Sequence, residues 1–436
     1  MKIKELLFFS PIVNVLRSLG PGLITGAADE DPSGIVTFLQ IGSKLGLGML
    51  WAVLLLFLMK IAIQEMCARI GLVTGKGLAT LIKNKYSRNI VIPISGLLMI
   101  ANIINIGVDI GAMAVSSKLI FPQLPSYIAT IIFTALILLT QIFIPYVKYV
   151  KFLKYLTFSL FAYVITAVLV GGNIREIITA TVIPHFEFSS DFIMLFVAMF
   201  GTTISPYLFF WQTSEEVEED VAKNKIKEIG KGNPNISKKE IKIMKQDVAI
   251  GAFFSQFITW TIIVTTAGSL HVNGITNIES ADQAAQALQP LVNTFPYSGE
   301  IAKIIFALGI MGTGLLSIPV LSASSAYALS DTFRWKEGLS KKFGQAKSFY
   351  IIIIFSTLIG LGIAIFDTNI IQALIYAAVI NGAVAVPMIL LIIKIGNDRS
   401  ILKDKTNGLF SNVVGWITFT IMTISVIFLF LTQIKG

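Results

Sequence analysis

Apolar stretches of about twenty residues recur along almost the whole chain, each closed by a short polar turn. A helix of that length crosses the hydrocarbon of a bilayer. The pattern predicts eleven spans, over about 19–39, 46–69, 91–117, 126–145, 152–171, 192–212, 248–268, 300–329, 349–366, 369–394 and 412–433. The expected fold is all-α and integral to the membrane, in one domain over 1–436.

Two spans break the apolar pattern. Span one contains Gly20-Pro21-Gly22-Leu23-Ile24-Thr25-Gly26-Ala27-Ala28-Asp29-Glu30-Asp31-Pro32-Ser33-Gly34. Three consecutive acids inside a span are costly, and the Pro and Gly around them forbid a continuous helix. Broken backbone at membrane depth is tolerated where it faces protein or a wet cavity. Freed carbonyls beside carboxylates make a site that attracts a cation. Span six repeats the interruption at Phe200-Gly201-Thr202-Thr203-Ile204-Ser205-Pro206-Tyr207-Leu208. Interrupted spans in corresponding halves point to an inverted repeat with the substrate near the midplane. Spans one to five (about 19–171) form one half and six to ten (about 192–394) the other. Span eleven (412–433) is peripheral, in a leucine-transporter-like 5+5 arrangement.

Composition supports the membrane reading. The chain is 55% hydrophobic and 14% charged, against about 45–50% and about 25% for soluble domains. Its net charge of +9 is explained by placement rather than by nucleic acid. Lys2, Lys4, Arg17, Lys76, Lys83, Lys85, Arg88, Lys148, Lys151, Lys154, the lysines from Lys223 to Lys245, Arg334 to Lys347 and Lys394 to Lys405 fall on one side. Lys44, Lys118, Arg175, Lys303 and Lys435 fall on the other. The positive-inside rule puts the N-terminus in the cytoplasm and the C-terminus outside. Met1 to Ser18 is amphipathic and has no cleavage site, so nothing is expected to be removed. The single Cys67 excludes an internal disulfide and a cysteine metal cage. Glu215 to Lys245 reads as a solvated, partly helical connector, and Ile278 to Leu291 as a short helix on the membrane surface. A Lys60–Glu65 contact is expected within span two.

The breaks resemble those of the NRAMP family of divalent-metal transporters. That family begins helix one with Gly-Pro-Gly and breaks it at Asp-Pro-Gly-Asn; here stand Gly20-Pro21-Gly22 and Asp31-Pro32-Ser33-Gly34. The end of helix two, Gln64 through Arg69-Ile70-Gly71-Leu72-Val73-Thr74-Gly75-Lys76-Gly77-Leu78-Ala79, is similar to the family's most recognisable run. The Met-Pro-His of helix six is represented by Ser205-Pro206-Tyr207. Carried over residue by residue, the resemblance puts the metal at Asp31, with the family's Asn falling on Gly34. Its thioether falls on Ser205, and its carbonyl donor on Thr202. Asp109 matches an acid associated with proton transfer, whereas the other acids of that helix fall on Asn102 and Ala112, and the helix-six His on Tyr207. These losses resemble a divergent, magnesium-carrying branch.

Each residue also has a plainer role. Asp31 suits an N-cap, with Pro32 the natural first helical residue. Asp29 and Glu30 point either at the ion, behind its nearest ligands, or into a wet vestibule. Thr202, Thr203 and Ser205 suit hydroxyls that ease a kink by bonding back to the helix. Asn102 and Asn105 suit bonds between helices, and Asn381, Gly382 and Pro387 a gating kink. His185 and His271 fall in outer loops.

The expected function is a plasma-membrane carrier that brings a divalent ion into the cytoplasm by alternating access. Magnesium is favoured, manganese is tolerated, and protons are not coupled. The alternatives are a proton-coupled manganese or iron transporter and, more remotely, an amino-acid carrier. An enzyme is not expected, because no nucleophile–base pair, phosphate loop or His/Cys cluster is present. No cofactor is expected; the partners are the ion and the bilayer, not nucleic acid, and the sequence leaves the oligomeric state open, a monomer being compatible with it.

Overall fold

The computed structural model describes residues 20–144, 160–170, 172–187, 189–293, 296–366 and 369–435. Lys2, Lys4, Arg17, Lys148, Lys151, Lys154 and the first part of the span predicted over 152–171 lie outside the described residues.

The first predicted span is two half-helices, α1 (Pro21–Ala28) and α2 (Pro32–Leu45). α3 (Leu50–Thr74), α4 (Leu78–Tyr86), α5 (Arg88–Ser117) and α6 (Ser126–Phe143) follow. α7 (Phe161–Val170) is the described part of span five, and α8 (Ile174–Val182) leads to the second interrupted span. That span is α9 (Ser190–Thr203) and α10 (Pro206–Ala222). The rest is α11 (Lys238–Ser269), α12 (Ala281–Gln286), α13 (Gln289–Val292), α14 (Ser298–Phe333), α15 (Lys347–Phe366), α16 (Ile370–Gly396), α17 (Arg399–Leu402) and α18 (Leu409–Lys435). Among the described residues, nine helices are long and apolar enough to cross a membrane, with α9 and α10 counted as one. The pieces of the first broken helix stand beside them.

Both broken helices sit inside the bundle. α1 and α2 lie on α11, while α9 lies on α16 and α10 on α3. Gly22 and Gly26, four apart on α1, permit the close approach, since a Cβ on Gly26 would overlap the Gly251 carbonyl. Small residues at this spacing are how membrane helices touch backbone to backbone. Around this core, Leu97, Ile100, Ile132, Leu139, Phe355 and Ile424 are exposed on the outer helices, as expected where lipid replaces water. α18 contacts mainly α16, α3 and α9 and exposes Ile417, Ile427 and Phe430, which fits a peripheral helix.

Three expectations are corrected. The acidic run from Glu215 is not the start of a connector: α10 continues to Ala222, with Ser214, Glu216 and Asp220 buried. Gln212 donates to Glu216 at 2.9 Å and Lys225 pairs with Asp220 at 2.9 Å, which lets these carboxylates lie inside. α11 then starts at Lys238 with a Ser237–Glu240 capping box, so the true connector is short. Lys60 does not reach Glu65. Five positions apart on one helix, the two point to different sides; Glu65 pairs with Arg69 at 2.9 Å and Lys245 at 3.3 Å. The helix expected over 278–291 is the pair α12 and α13, whose Ala281, Ala284 and Ala285 are buried in packing against α14.

Candidate functional site

At the first break the chain leaves α1 at Asp29 and re-enters helix at Pro32. Asp31 is the N-cap of α2, extended at φ −74° and ψ 166°. Its Oδ1 accepts from the Gly34 amide at 2.6 Å and the Ser33 hydroxyl at 3.1 Å. Its Oδ2 accepts from the Asn105 amide of α5 at 3.0 Å. The capping role is therefore real, and it leaves a carboxylate buried in the bundle, ringed by neutral donors and without an ion-pair partner.

The second break has the same outline and different chemistry. Ser205 is the N-cap of α10, with Pro206 at the first helical position, yet its side chain caps nothing ahead of it. Its hydroxyl turns back to the carbonyls of Gly201 and Thr202, each at 2.7 Å. The back-bonding role expected of the hydroxyls thus holds for Ser205. Thr202 Oγ1 and Thr203 Oγ1 are buried and have no partner.

The two breaks meet at Gly34. A Cβ there would lie 2.8 Å from Thr202 Oγ1, 3.2 Å from Asp31 Oδ1 and 3.4 Å from the Asp29 carbonyl oxygen. The missing side chain lets a hydroxyl, a carboxylate and a carbonyl close round one point more tightly than a methyl group would allow, with neither nitrogen nor sulfur among those three atoms. Tyr207 closes the junction from above, donating from its phenol to the Ala28 carbonyl at 3.1 Å. That carbonyl is one of those freed where α1 ends.

Asp29 and Glu30 face elsewhere. Asp29 forms a fully buried ion pair with Lys60 of α3 and accepts from Ser255 of α11 at 2.8 Å. Glu30 accepts from Ser255 at 2.8 Å and Thr259 at 3.4 Å. The three acids therefore fan out, and among the described residues no three His, Cys, Asp or Glu side chains form a ready metal cage. Asp109 of α5 is fully buried, with its carboxylate turned towards the Ser33 backbone and Ser317 of α14. Asn102 bridges helices as expected, donating to the Leu321 carbonyl at 3.0 Å and to Ser324 and Ser325 of α14. Asn105 bonds Asp31 instead.

One residue was underread. Asn381 of α16 is fully buried with both amide atoms unpartnered, beside the Gly382 that packs on Gly201. Its neighbour Gly382 had drawn attention to a kink.

The run at the end of helix two carries no ligand. Arg69 ties α3 to the segment before α18, donating to the Lys405 carbonyl at 2.7 Å and Asn407 at 2.6 Å. Gly75 ends α3 in the left-handed region at φ +63°. The turn accepts the Gly230 amide at 2.8 Å.

The sequence matches the family described as natural resistance-associated macrophage protein-like over residues 22–432. It is 27% identical over 309 residues, 69% of each chain, to the divalent metal cation transporter MntH of Erwinia tasmaniensis. The fold resembles that of the Eremococcus coleocola manganese transporter in complex with an aromatic bis-isothiourea substituted compound. That likeness has a TM-score of 0.73 and 16% identity, covering 95% of this chain and 86% of that one. It also resembles a nucleobase–cation symport transporter in a closed conformation with bromovinylhydantoin bound, at TM-score 0.57 and 12% identity over 95% and 93% of the two chains. Identities this low speak for the fold alone. The family match runs nearly end to end, and this multi-pass membrane protein belongs to the Nramp family.

Proposed function

We propose that the chain carries a divalent cation across the plasma membrane into the cytoplasm, holding it at the paired breaks and exposing them to either side in turn. The observation that carries this reading is the close meeting of the two breaks at Gly34, where Asp31 Oδ1, Thr202 Oγ1 and the Asp29 carbonyl converge on one point. Ser205 and the Thr202 carbonyl, bonded to one another, add neutral oxygen at the facing break, and Asn381, next to the Gly382 that packs on Gly201, is proposed as a further donor. The related MntH and the Eremococcus coleocola manganese transporter are named for divalent metals, which supports the same cargo class here.

Magnesium is the preferred ion and manganese is tolerated. Hard oxygen donors and one carboxylate suit an ion that sheds water reluctantly and keeps several waters. A thioether would draw softer metals, and Ser205 stands where the family resemblance places one. The lysine-rich turns lie inside, as the positive-inside rule requires. The membrane potential suffices as a drive: two charges across 100 mV gain about 4.6 kcal/mol, on the order of a thousandfold. Proton coupling is not expected, because Asn102, Ala112 and Tyr207 interrupt a titratable chain. One observation favours the coupled alternative, namely a fully buried acid, Asp109, close to Asp31.

Uptake of magnesium, manganese, calcium and cadmium into proteoliposomes, with lumenal pH recorded, tests the reading. Magnesium and manganese should enter under an inside-negative potential without stoichiometric acidification. Good cadmium uptake with magnesium excluded would replace it with a transition-metal carrier. Acidification in step with the metal would restore coupling through Asp109.

A further inference from the structure

Behind the first break, on the side away from α9, lies a polar cluster that the metal reading does not use. The Lys60 side chain is wholly buried and reaches from α3 to Asp29. Its ammonium also donates to Ser255 at 2.7 Å. Ser255 Oγ lies 2.8 Å from both the Asp29 and the Glu30 carboxylate. Asp29 Oδ1 and Glu30 Oε2 remain buried and unpartnered. The ammonium thus touches one carboxylate and one hydroxyl, and that hydroxyl links it to the second carboxylate, with acceptor capacity left over. That is the donor set of a cation site, and a charge at this depth persists only with a partner.

We propose that the pocket formed by Asp29, Glu30 and Ser255 is a second, monovalent-cation site that this chain fills permanently with the ammonium of Lys60. The tethered cation does two things. It pulls Asp29 away from the junction at Gly34, so that Asp29 contributes its carbonyl there and not its carboxylate. It also gives the acidic run Asp29-Glu30-Asp31 its one ion-pair partner among the described residues. Lys60 is a positioning residue: it acts on the transported ion through Asp29. A free monovalent ion is then unnecessary for transport.

The inference rests on the reading of the breaks as the ion's path. A wild-type protein that moves no divalent ion would remove that reading, whereas the variants below, beside an active wild type, bear on the inference alone. Manganese uptake into proteoliposomes is compared for wild type, Lys60→Ala and Asp29→Asn/Lys60→Met, with sodium, ethylammonium or choline as the monovalent cation. Wild-type uptake should be indifferent to that choice. Lys60→Ala should fall about tenfold or more, as expected when a buried charge loses its partner. Sodium or ethylammonium should restore it to within about threefold by entering the vacated pocket, while bulky choline should not. Asp29→Asn/Lys60→Met, which removes both charges, should transport without any such dependence. A purely structural lysine would show no rescue by a small cation. Wild-type-like Lys60→Ala, or a loss that neither small cations nor the second substitution repairs, would overturn the proposal. Should Lys60→Ala not fold, the double variant decides: folded and active supports the site, unfolded or inactive refutes it.

Discussion

The two breaks share one backbone outline and divide the chemistry between them. Each has an extended N-cap residue followed by proline, Asp31-Pro32 in one and Ser205-Pro206 in the other. Asp31 caps forward, onto the helix that begins after it, with its carboxyl group. Ser205 caps backward, onto the carbonyls of the helix that ends before it, and leaves Thr202 Oγ1 and Thr203 Oγ1 free. The acidic break supplies charge, and the hydroxyl break supplies neutral oxygen. An interrupted span is thus a place where donors can be chosen, and the residue at the cap decides which backbone groups remain for a ligand.

If that division is right, substitutions at equivalent positions should act unequally. Asp31→Ala should lower uptake by about a hundredfold or more, the loss of a charge that only the ion neutralises, while Ser205→Ala lowers it about threefold. Equal losses in a proteoliposome assay would erase the distinction. Gly34→Ala, which drives a methyl to within 2.8 Å of Thr202 Oγ1, should raise KM about tenfold by forcing the two breaks apart where they meet. An unchanged KM would place the ion elsewhere. Tyr207→Phe, which removes the bond from one break to the other, should cost about 1 kcal/mol or less of stability by thermal unfolding in detergent. It should leave metal selectivity alone.

The smallest effect is expected far from both breaks. Lys85, hydrogen-bonded to Asp398 on the basic side, holds that carboxyl down at about 2. Being lowered, it stabilises the fold above the ordinary aspartate range near 3.9 and loses that effect as pH falls towards about 2. The pair is mostly exposed, so Lys85→Ala should cost about 0–1 kcal/mol at pH 7, less at pH 3, and no transport.

The breaks were legible because proline, glycine and acids contradict the apolar pattern around them. Even their finer roles followed from residue type: Asp31 as a cap, Ser205 as a back-bonding hydroxyl. What escaped depended on distant partners. Lys60 has a nearby acid on its own helix, and nothing local favours Asp29 over Glu65; the choice is made by how α1 and α3 both pack on α11. The acidic turn after Gln212 looked solvated because charge density usually means water, whereas Gln212 and Lys225 satisfy those carboxylates inside. Asn381 passed as part of a kink, since an amide's lack of partners is visible only once the bundle closes around it.

The central claim, one divalent ion held by Asp31 between the two breaks, is tested most directly by equilibrium binding of manganese to the purified protein, followed by its paramagnetic signal. Wild type should bind one ion per chain, displaced by magnesium and poorly by cadmium. Asp31→Asn, which keeps the cap and removes the charge, should bind none. Undiminished binding by Asp31→Asn, or displacement by cadmium and not by magnesium, would contradict the account.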